Sequence, residues 1–186
     1  IHGSYKYSYN ESKGTGTVGF DGLAVLYSAQ GNAPDLLLDA GDTFHGQSFA
    51  TMSEGKSIAE LMDTFYADGY DATTPGNHDW SYGADKLRTM TGSGTTSTPF
   101  AMLCANATSA NGVWSSSFTK TLDRTWEDDE DHSTFNDTIK VGVVGAMDES
   151  LGSSLRADLV AGTSFSSAAD AINAEAKRLR EKEGCN

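Results

Sequence analysis

The stretch Asp35 to Gly46 reads D-L-L-L-D-A-G-D-T-F-H-G and limits the chain more than any other. Three consecutive leucines, bounded by Pro34 and Gly41, suit a short strand buried on both faces. Such a strand belongs to an open α/β sheet, where ligands bind in the loops at the carboxyl ends of strands. The glycine stops the strand and delivers Asp42 into such a loop. There a carboxylate can cap the following turn. It can also hold a hard cation, or bridge two cations roughly 3.5–4 Å apart. The stretch alone leaves both readings open.

Tyr70 to Tyr82, Y-D-A-T-T-P-G-N-H-D-W-S-Y, repeats the arrangement. A short strand candidate meets a Pro75-Gly76 break, and polar groups follow in the loop. Asn77 offers a neutral oxygen ligand, and His78 an imidazole able to act as acid or base near neutral pH. One helix-length segment joins G-D-x-x-x-G to G-N-H-D. This pairing resembles the calcineurin-like metallophosphoesterases, most closely the nucleotidase branch that includes 5′-nucleotidases. Ile1-His2-Gly3 looks like the tail of that family's D-x-H-G motif. The resemblance covers nearly the whole chain and is strongest from Asp35 to Leu87.

The resemblance implies an α/β fold, part of a four-layer α-β-β-α sandwich. It implies two divalent metal ions, with Asp42 bridging both, Asn77 binding one and His2 the other. Mn²⁺ or Zn²⁺ suits mixed oxygen and imidazole ligands better than Ca²⁺. His78 is implied as the catalytic residue that contacts the phosphoryl group and helps the leaving oxygen depart. Many nucleotidases carry an orienting Asp three residues later, where this chain has Ser81. Serine accepts a hydrogen bond but cannot stabilise an imidazolium as a carboxylate does. Asp79 corresponds to a variable acidic position. His45 can line the pocket or stand as a loop histidine without a ligand role, and Asp39 reads as a group bonding nearby backbone. The implied substrate is a nucleotide or nucleotide-like phosphate ester, cleaved as by a 5′-nucleotidase or a 2′,3′-cyclic nucleotide phosphodiesterase/3′-nucleotidase.

The four histidines are His2, His45, His78 and His132. The family's downstream G-H-x-H motif and its C-terminal substrate-binding domain have no counterpart among these residues. The Asp of the D-x-H-G motif would fall just before Ile1, so residues 1–186 are expected to be an N-terminal portion of a metallophosphoesterase catalytic domain, truncated at both ends and weak or inactive alone. Two other readings compete. A haloacid-dehalogenase-type phosphatase needs D-x-D, and the D-A-G-D spacing of Asp39 and Asp42 counts against it. A non-catalytic metallophosphoesterase-like binding domain would keep the fold without turnover.

Composition narrows the partners. The 186 residues suffice for one domain with a real core. A formal net charge of −13 argues against nucleic-acid binding, which needs a basic footprint. It would also repel phosphates, so a phosphate site needs local positive charge, which bound metal ions supply. No run approaches the roughly 20 apolar residues of a transmembrane segment. Low cysteine with abundant Ser, Thr, Asn and Gly is compatible with export, to an extracellular, cell-surface or periplasmic location. Cys104, in A-M-L-C-A, reads as a buried structural thiol, and no disulfide to Cys185 is expected.

Along the chain, residues 4–16 read as a loop and Thr17 to Gln30 as a helix with Phe20, Leu23, Ala24 and Tyr27 on one face. Ser57 and Glu60 form an S-x-x-E start signal for a helix ending at Gly69. Gly83 to Met90 suits a short helix, Thr91 to Thr98 a surface loop, and Phe100 to Ala105 a buried strand ending at Asn106. Asn106 can serve as turn residue or site support. Strands are expected near Ser117 to Trp126 and over Thr138 to Gly145, flanking an acidic hairpin tip at Glu127 to His132. Met147 and Asp148 open the next loop, and Ser164 to Gly184 forms the last helix.

Overall fold

The computed structural model describes residues 2–31, 35–65, 69–90, 100–110 and 114–186. Ile1, Pro34 and the expected Thr91–Thr98 loop lie outside them. The chain opens with a small antiparallel hairpin, β1 (Ser8–Asn10) and β2 (Thr15–Thr17), where the sequence suggested a loop. Both strands are exposed, so no buried alternation marks them. Helix α1 (Phe20–Ala29) follows, with Phe20 buried and Leu23, Ala24 and Tyr27 packed beside the core. Next come β3 (Leu38–Asp39), α2 (Ser48–Thr51), α3 (Lys56–Thr64) and β4 (Ala72–Thr73). A 3₁₀ turn over Asn77–Tyr82, α4 (Ala84–Thr89) and β5 (Ala101–Met102) complete the first half.

β3, β4 and β5 form a parallel sheet in that order, with Leu38 opposite Ala72 and Ala72 opposite Ala101. Parallel neighbours need crossover connections, which the intervening helices supply. α3 buries Ile58 and Met62 against Phe20, Leu37, Phe65 and Tyr70. Its start differs from the S-x-x-E reading. Gly55 precedes the helix in the left-handed region, and the Ser53 hydroxyl accepts the Ser57 N–H at 3.1 Å. Ser57 therefore lies inside the first turn instead of capping it.

The second half contributes β6 (Ala107–Ser109), a long hairpin of β7 (Ser117–Glu127) and β8 (Thr134–Val144), α5 (Leu151–Ser154), β9 (Thr163–Phe165) and α6 (Ala168–Arg178). A π turn over Leu179–Glu183 continues α6 to a left-handed Gly184. The last helix is thus shorter than expected, because Thr163–Phe165 pairs with β6 as a strand. The hairpin joins the first sheet through the continuation of β5. Cys104 N–H donates to Ser115 O and Ala105 N–H to Gly145 O, each at 2.7 Å. Lys120 on β7 also pairs with Asp71, at 2.7 Å. α6 covers the outer side of the hairpin, where the Ser117 hydroxyl donates to Glu175 at 2.6 Å. The layers therefore run α1 and α3, parallel sheet, hairpin, α6. This is the α/β, α-β-β-α arrangement.

Leu37 and Leu38 show how the layers meet. Leu37 is 5% exposed and faces the helices, whereas Leu38 is 44% exposed. Leu38 faces an apolar cavity of about 240 Å³ shared with Leu103, Val143 and Val144. The expectation of burial on both faces fails for Leu38 because sheet and hairpin do not close over this cavity. The acidic run forms an exposed hairpin tip, as its composition suggests, with His132 contacting Glu127.

Cys104 is buried, Cys185 is partly exposed, and both are free thiols. Burial pushes the Cys104 thiol up to about 12, against opposing hydrogen bonds from the backbone at Ala107 and Met147. Such a thiol holds only roughly one part in 10⁴ as thiolate at pH 8. An aromatic disulfide reagent at pH 8 should therefore label one thiol per native chain, at Cys185, and Cys104 only after denaturation. Rapid labelling of two thiols would contradict the buried position.

Candidate metal centre

Two loops at the carboxyl ends of β3 and β4 make the site. The first carries Asp42, the second Asn77 and His78, and the segment Gly41–Asp42 lies directly against Thr74–Gly76. Gly41 has φ +91°, and a Cβ there would fall 2.4 Å from Gly76 N and 2.5 Å from Thr74 O. A Cβ on Gly76 would fall 2.1 Å from Asp42 Oδ1. The break glycines in the two motifs thus let backbone meet backbone. Asp42 itself sits at φ +54° and His2 at +47°. A non-glycine residue held at positive φ is uncommon and often marks a functional turn.

The N-terminal residues join these loops. His2 N–H donates to Asp42 O at 2.9 Å, and His2 O accepts Gln47 N–H at 3.0 Å. The His2 imidazole then stands with Nε2 3.9 Å from Asp42 Oδ2. Its ring meets the His78 ring edge-on, with centroids 5.3 Å apart. The His78 backbone N–H donates to Asp42 Oδ1 at 2.9 Å. His2, Asp42 and His78 are therefore brought together. Asn77 lies between Gly76 and His78, both of which touch Asp42, and its exposed side chain borders a cleft with Met147 and Asp148.

Asp79, a variable acidic position by its motif, holds this junction. It is 0% exposed. Its Oδ2 accepts the N–H groups of Asp42 and Gly76, both at 2.8 Å. Its Oδ1 accepts those of Thr43 and Phe44, at 3.0 and 2.8 Å. Burial pushes the Asp79 carboxyl above the usual range, the backbone donors of Gly76, Phe44 and Asp42 counter this, and the Asp42 carboxylate adds to the rise. The signal in the sequence was an acid three residues after the break glycine, where a carboxylate reaches back to the N–H groups that open a helical turn.

Asp39 supports the same loop, as expected. It accepts the Gly41 N–H at 3.0 Å and the hydroxyls of Thr43 and Thr73 at 2.8 and 2.7 Å. His45 stands beside the site, the pocket-lining alternative of its two readings. Its ring runs nearly parallel to His78, with centroids 6.0 Å apart, and leans on Tyr82. Asn106 is a buried staple. Its amide nitrogen donates to Met147 O and Ser166 O, each at 2.9 Å, and its oxygen accepts Met147 N–H at 2.9 Å. It fixes the loop after β8 instead of reaching the site.

The donor set suits a divalent cation. The His2–Asp42 separation of 3.9 Å lies inside the roughly 4.2 Å that two bonds of about 2.1 Å can span. Among the described residues, no group of three or more His, Cys, Asp or Glu side chains is placed to hold one ion. The His2 and Asp42 pair can supply two donors to one ion, and Asn77 carries an amide oxygen on the adjoining loop.

A model of the calcineurin-like phosphoesterases matches residues 1–153. The chain belongs to this family. Similar solved structures extend the agreement in fold. The calcineurin-like phosphoesterase YfkN of Bacillus subtilis is 20% identical, with a TM-score of 0.70 over 98% of this chain and 56% of its own. A Staphylococcus aureus protein assigned as a 5′-nucleotidase is 17% identical, with a TM-score of 0.64 over 96% of this chain and 33% of its own. The sulfate thiohydrolase SoxB of Thermus thermophilus is 18% identical, with a TM-score of 0.60 over 90% of this chain and 27% of its own. The chain therefore spans about half the length of the first and a third or less of the others. No functionally curated protein matches it. Among the described residues, no helix is long and apolar enough to cross a membrane.

Proposed function

We propose that this phosphoesterase-family chain carries the site for metal-dependent hydrolysis of a nucleotide phosphate ester. What supports the reading most directly is the approach of His2 Nε2 to Asp42 Oδ2, 3.9 Å, with the His78 backbone N–H donating to the same carboxylate. His2, Asp42 and Asn77 would hold divalent metal, with Asp42 shared between two ions when two are bound. Bound cations supply Lewis acidity toward the phosphoryl oxygens and lower the pKa of water.

The chain's own residues then have separate tasks. Asp79 keeps the two loops in register, so that His78 and Asp42 approach one phosphoryl group together. His78, exposed on the 3₁₀ turn, donates a proton to the ester oxygen as the phosphorus–oxygen bond breaks. His2 stands against the edge of the His78 ring and His45 lies parallel to its face. Together they restrict the ring's rotation. Ser81 leaves this orientation to packing where many nucleotidases use a carboxylate.

The test is phosphate release from AMP, UDP-glucose and 2′,3′-cyclic nucleotides, with Mn²⁺ or Zn²⁺ present and after chelation. Activity should require metal. His78→Ala should lower kcat about 100-fold, the usual worth of a positioned proton donor. Because residues 1–186 are expected to be weak or inactive alone, the discriminating result is absence of turnover with every divalent metal from a chain that also carries the family's C-terminal part, which would support a non-catalytic binding domain.

A further inference from the structure

Two surface features take no part in the candidate centre. One is the β1–β2 hairpin. Both its strands are exposed along their whole length, and a two-stranded hairpin by itself is marginal in water. Tyr5, Tyr7 and Tyr9 are each about half exposed. The Tyr7 ring lies against Gly16, and the Tyr5 ring packs at a tilt on Phe49 of α2, with centroids 4.4 Å apart. Met52, one helical turn after Phe49, is 87% exposed. These side chains give the hairpin end of the molecule an aromatic surface. Lys6 and Lys13 are exposed on the same segment, and among the described residues neither is ion-paired.

The other feature is the arm formed by β7 and β8. Its base is held to α6 through Ser117 and to the first sheet and the segment before it through Lys120–Asp71 and Arg124–Asp35. Beyond Arg124 both strands are exposed. Trp126 and Phe135 stand opposite each other across the strands, 48% and 46% exposed. The tip past them is Glu127 to Asp131, five acids in a row and the longest such run in the chain.

We propose that the arm of one copy of this chain docks on the tyrosine hairpin of a second copy. The inference is independent of the hydrolase reading. Two matches carry it.

The first is charge. Residues 4–19 hold Lys6 and Lys13 against Glu11 alone, in a chain of net charge −13. Such a basic island selects an acidic segment as its partner, while like charge elsewhere on the surface disfavours other ways of docking. The same net charge disfavours nucleic acid and anionic lipid surfaces as occupants. At physiological ionic strength the Debye length is about 8 Å, so distant charges on two copies are largely screened and those in contact are not.

The second is composition. Tyr, Ser, Gly and Asn make up most of residues 4–19, as in binding loops that join rigid aromatic contact to adaptable hydrogen bonding. Interface centres are enriched in Tyr, Trp, Phe and Met, and their rims are polar. Each of the two surfaces carries exposed aromatics beside charge, and the charges are of opposite sign.

The experiment is sedimentation equilibrium of the 186-residue chain at about 100 μM, a concentration suited to weak contacts. The wild type should form species heavier than one chain. Lys6→Glu with Lys13→Glu, and separately Asp129→Lys with Glu130→Lys, should each leave the chain monomeric. Mixed in equal amounts, the two double variants should associate again, because each then offers the charge that the other's surface lacks. Recovery on mixing separates lost contact from lost folding. Arg180→Glu with Lys182→Glu makes the same change in net charge near the end of the chain and should leave association unchanged. Tyr9→Ser should weaken association about tenfold. A monomeric wild type, double variants that still associate alone, or no recovery on mixing would overturn the inference. With a monomeric wild type, protection of the hairpin tyrosines only in a chain that also carries the family's C-terminal part would assign this surface to that part instead.

Discussion

Asp79→Ala should lower the free energy of unfolding by about 3–5 kcal/mol, among the largest effects expected of a single substitution. The carboxylate is wholly buried and accepts four backbone N–H groups, from Gly76, Asp42, Thr43 and Phe44. Each such bond to a charged acceptor contributes roughly 1.5–3 kcal/mol, and each buried donor left unpaired costs about 1–3 kcal/mol. Water entering the space left by the side chain recovers part of this, which keeps the total below the simple sum. Asp79→Asn should lose less, because one oxygen still accepts while the amide hydrogens face other donors. Denaturant unfolding followed by circular dichroism reads the effect directly. A loss under 1 kcal/mol for Asp79→Ala would mean that other contacts hold the two loops together.

Gly41→Ala should destabilise by about 2–4 kcal/mol, from backbone strain together with overpacking. At φ +91° an alanine is strained before any contact is counted. Its Cβ would then meet Gly76 N at 2.4 Å, Thr74 O at 2.5 Å and Pro75 C at 2.9 Å. These are main-chain atoms of the neighbouring loop, with no flexible side-chain end to swing aside. Relief must come from separating the Asp42 loop from the His78 loop, so divalent-metal affinity should fall together with stability. Gly14→Ala is the control. It has φ +62° and nothing within 4 Å, so it pays for strain alone and should cost only about 1 kcal/mol. Equal losses at the two positions would show that the loops do not touch as described.

The motif pair G-D-x-x-x-G and G-N-H-D made the family and the α/β layering legible, because each motif couples a buried strand to a break glycine and a polar loop. Helix faces were legible for a related reason. Ile58, Leu61, Met62 and Phe65 recur at helical spacing, and all are buried except Leu61, which is partly buried. The β1–β2 hairpin was not legible, since both its strands are exposed and carry no alternation. β9 was hidden inside an apparent helix pattern, because pairing of Thr163–Phe165 with β6 is a long-range choice that local spacing cannot express.

Asp79 and Asn106 were misjudged for a different reason. Beside a histidine, Asp79 reads as a variable acid. At a strand end, Asn106 reads as a turn residue or site support. Their actual work is to bond segments 36 and 41 residues away, respectively. The same holds for His45, whose place beside His78 depends on how the two loops are laid together.

By itself, the order of residues determined which local pieces form and which polar groups stand at strand ends, since helix period, strand burial and glycine breaks are properties of neighbours. The motifs implied by resemblance that His2, Asp42 and His78 share one place, but only the folded chain decided that Asp79 ties their loops and that the His2 ring stands against that of His78. Those relations require backbones from distant segments to approach within hydrogen-bond range. Chain closure and packing fix that approach, and no local pattern encodes it.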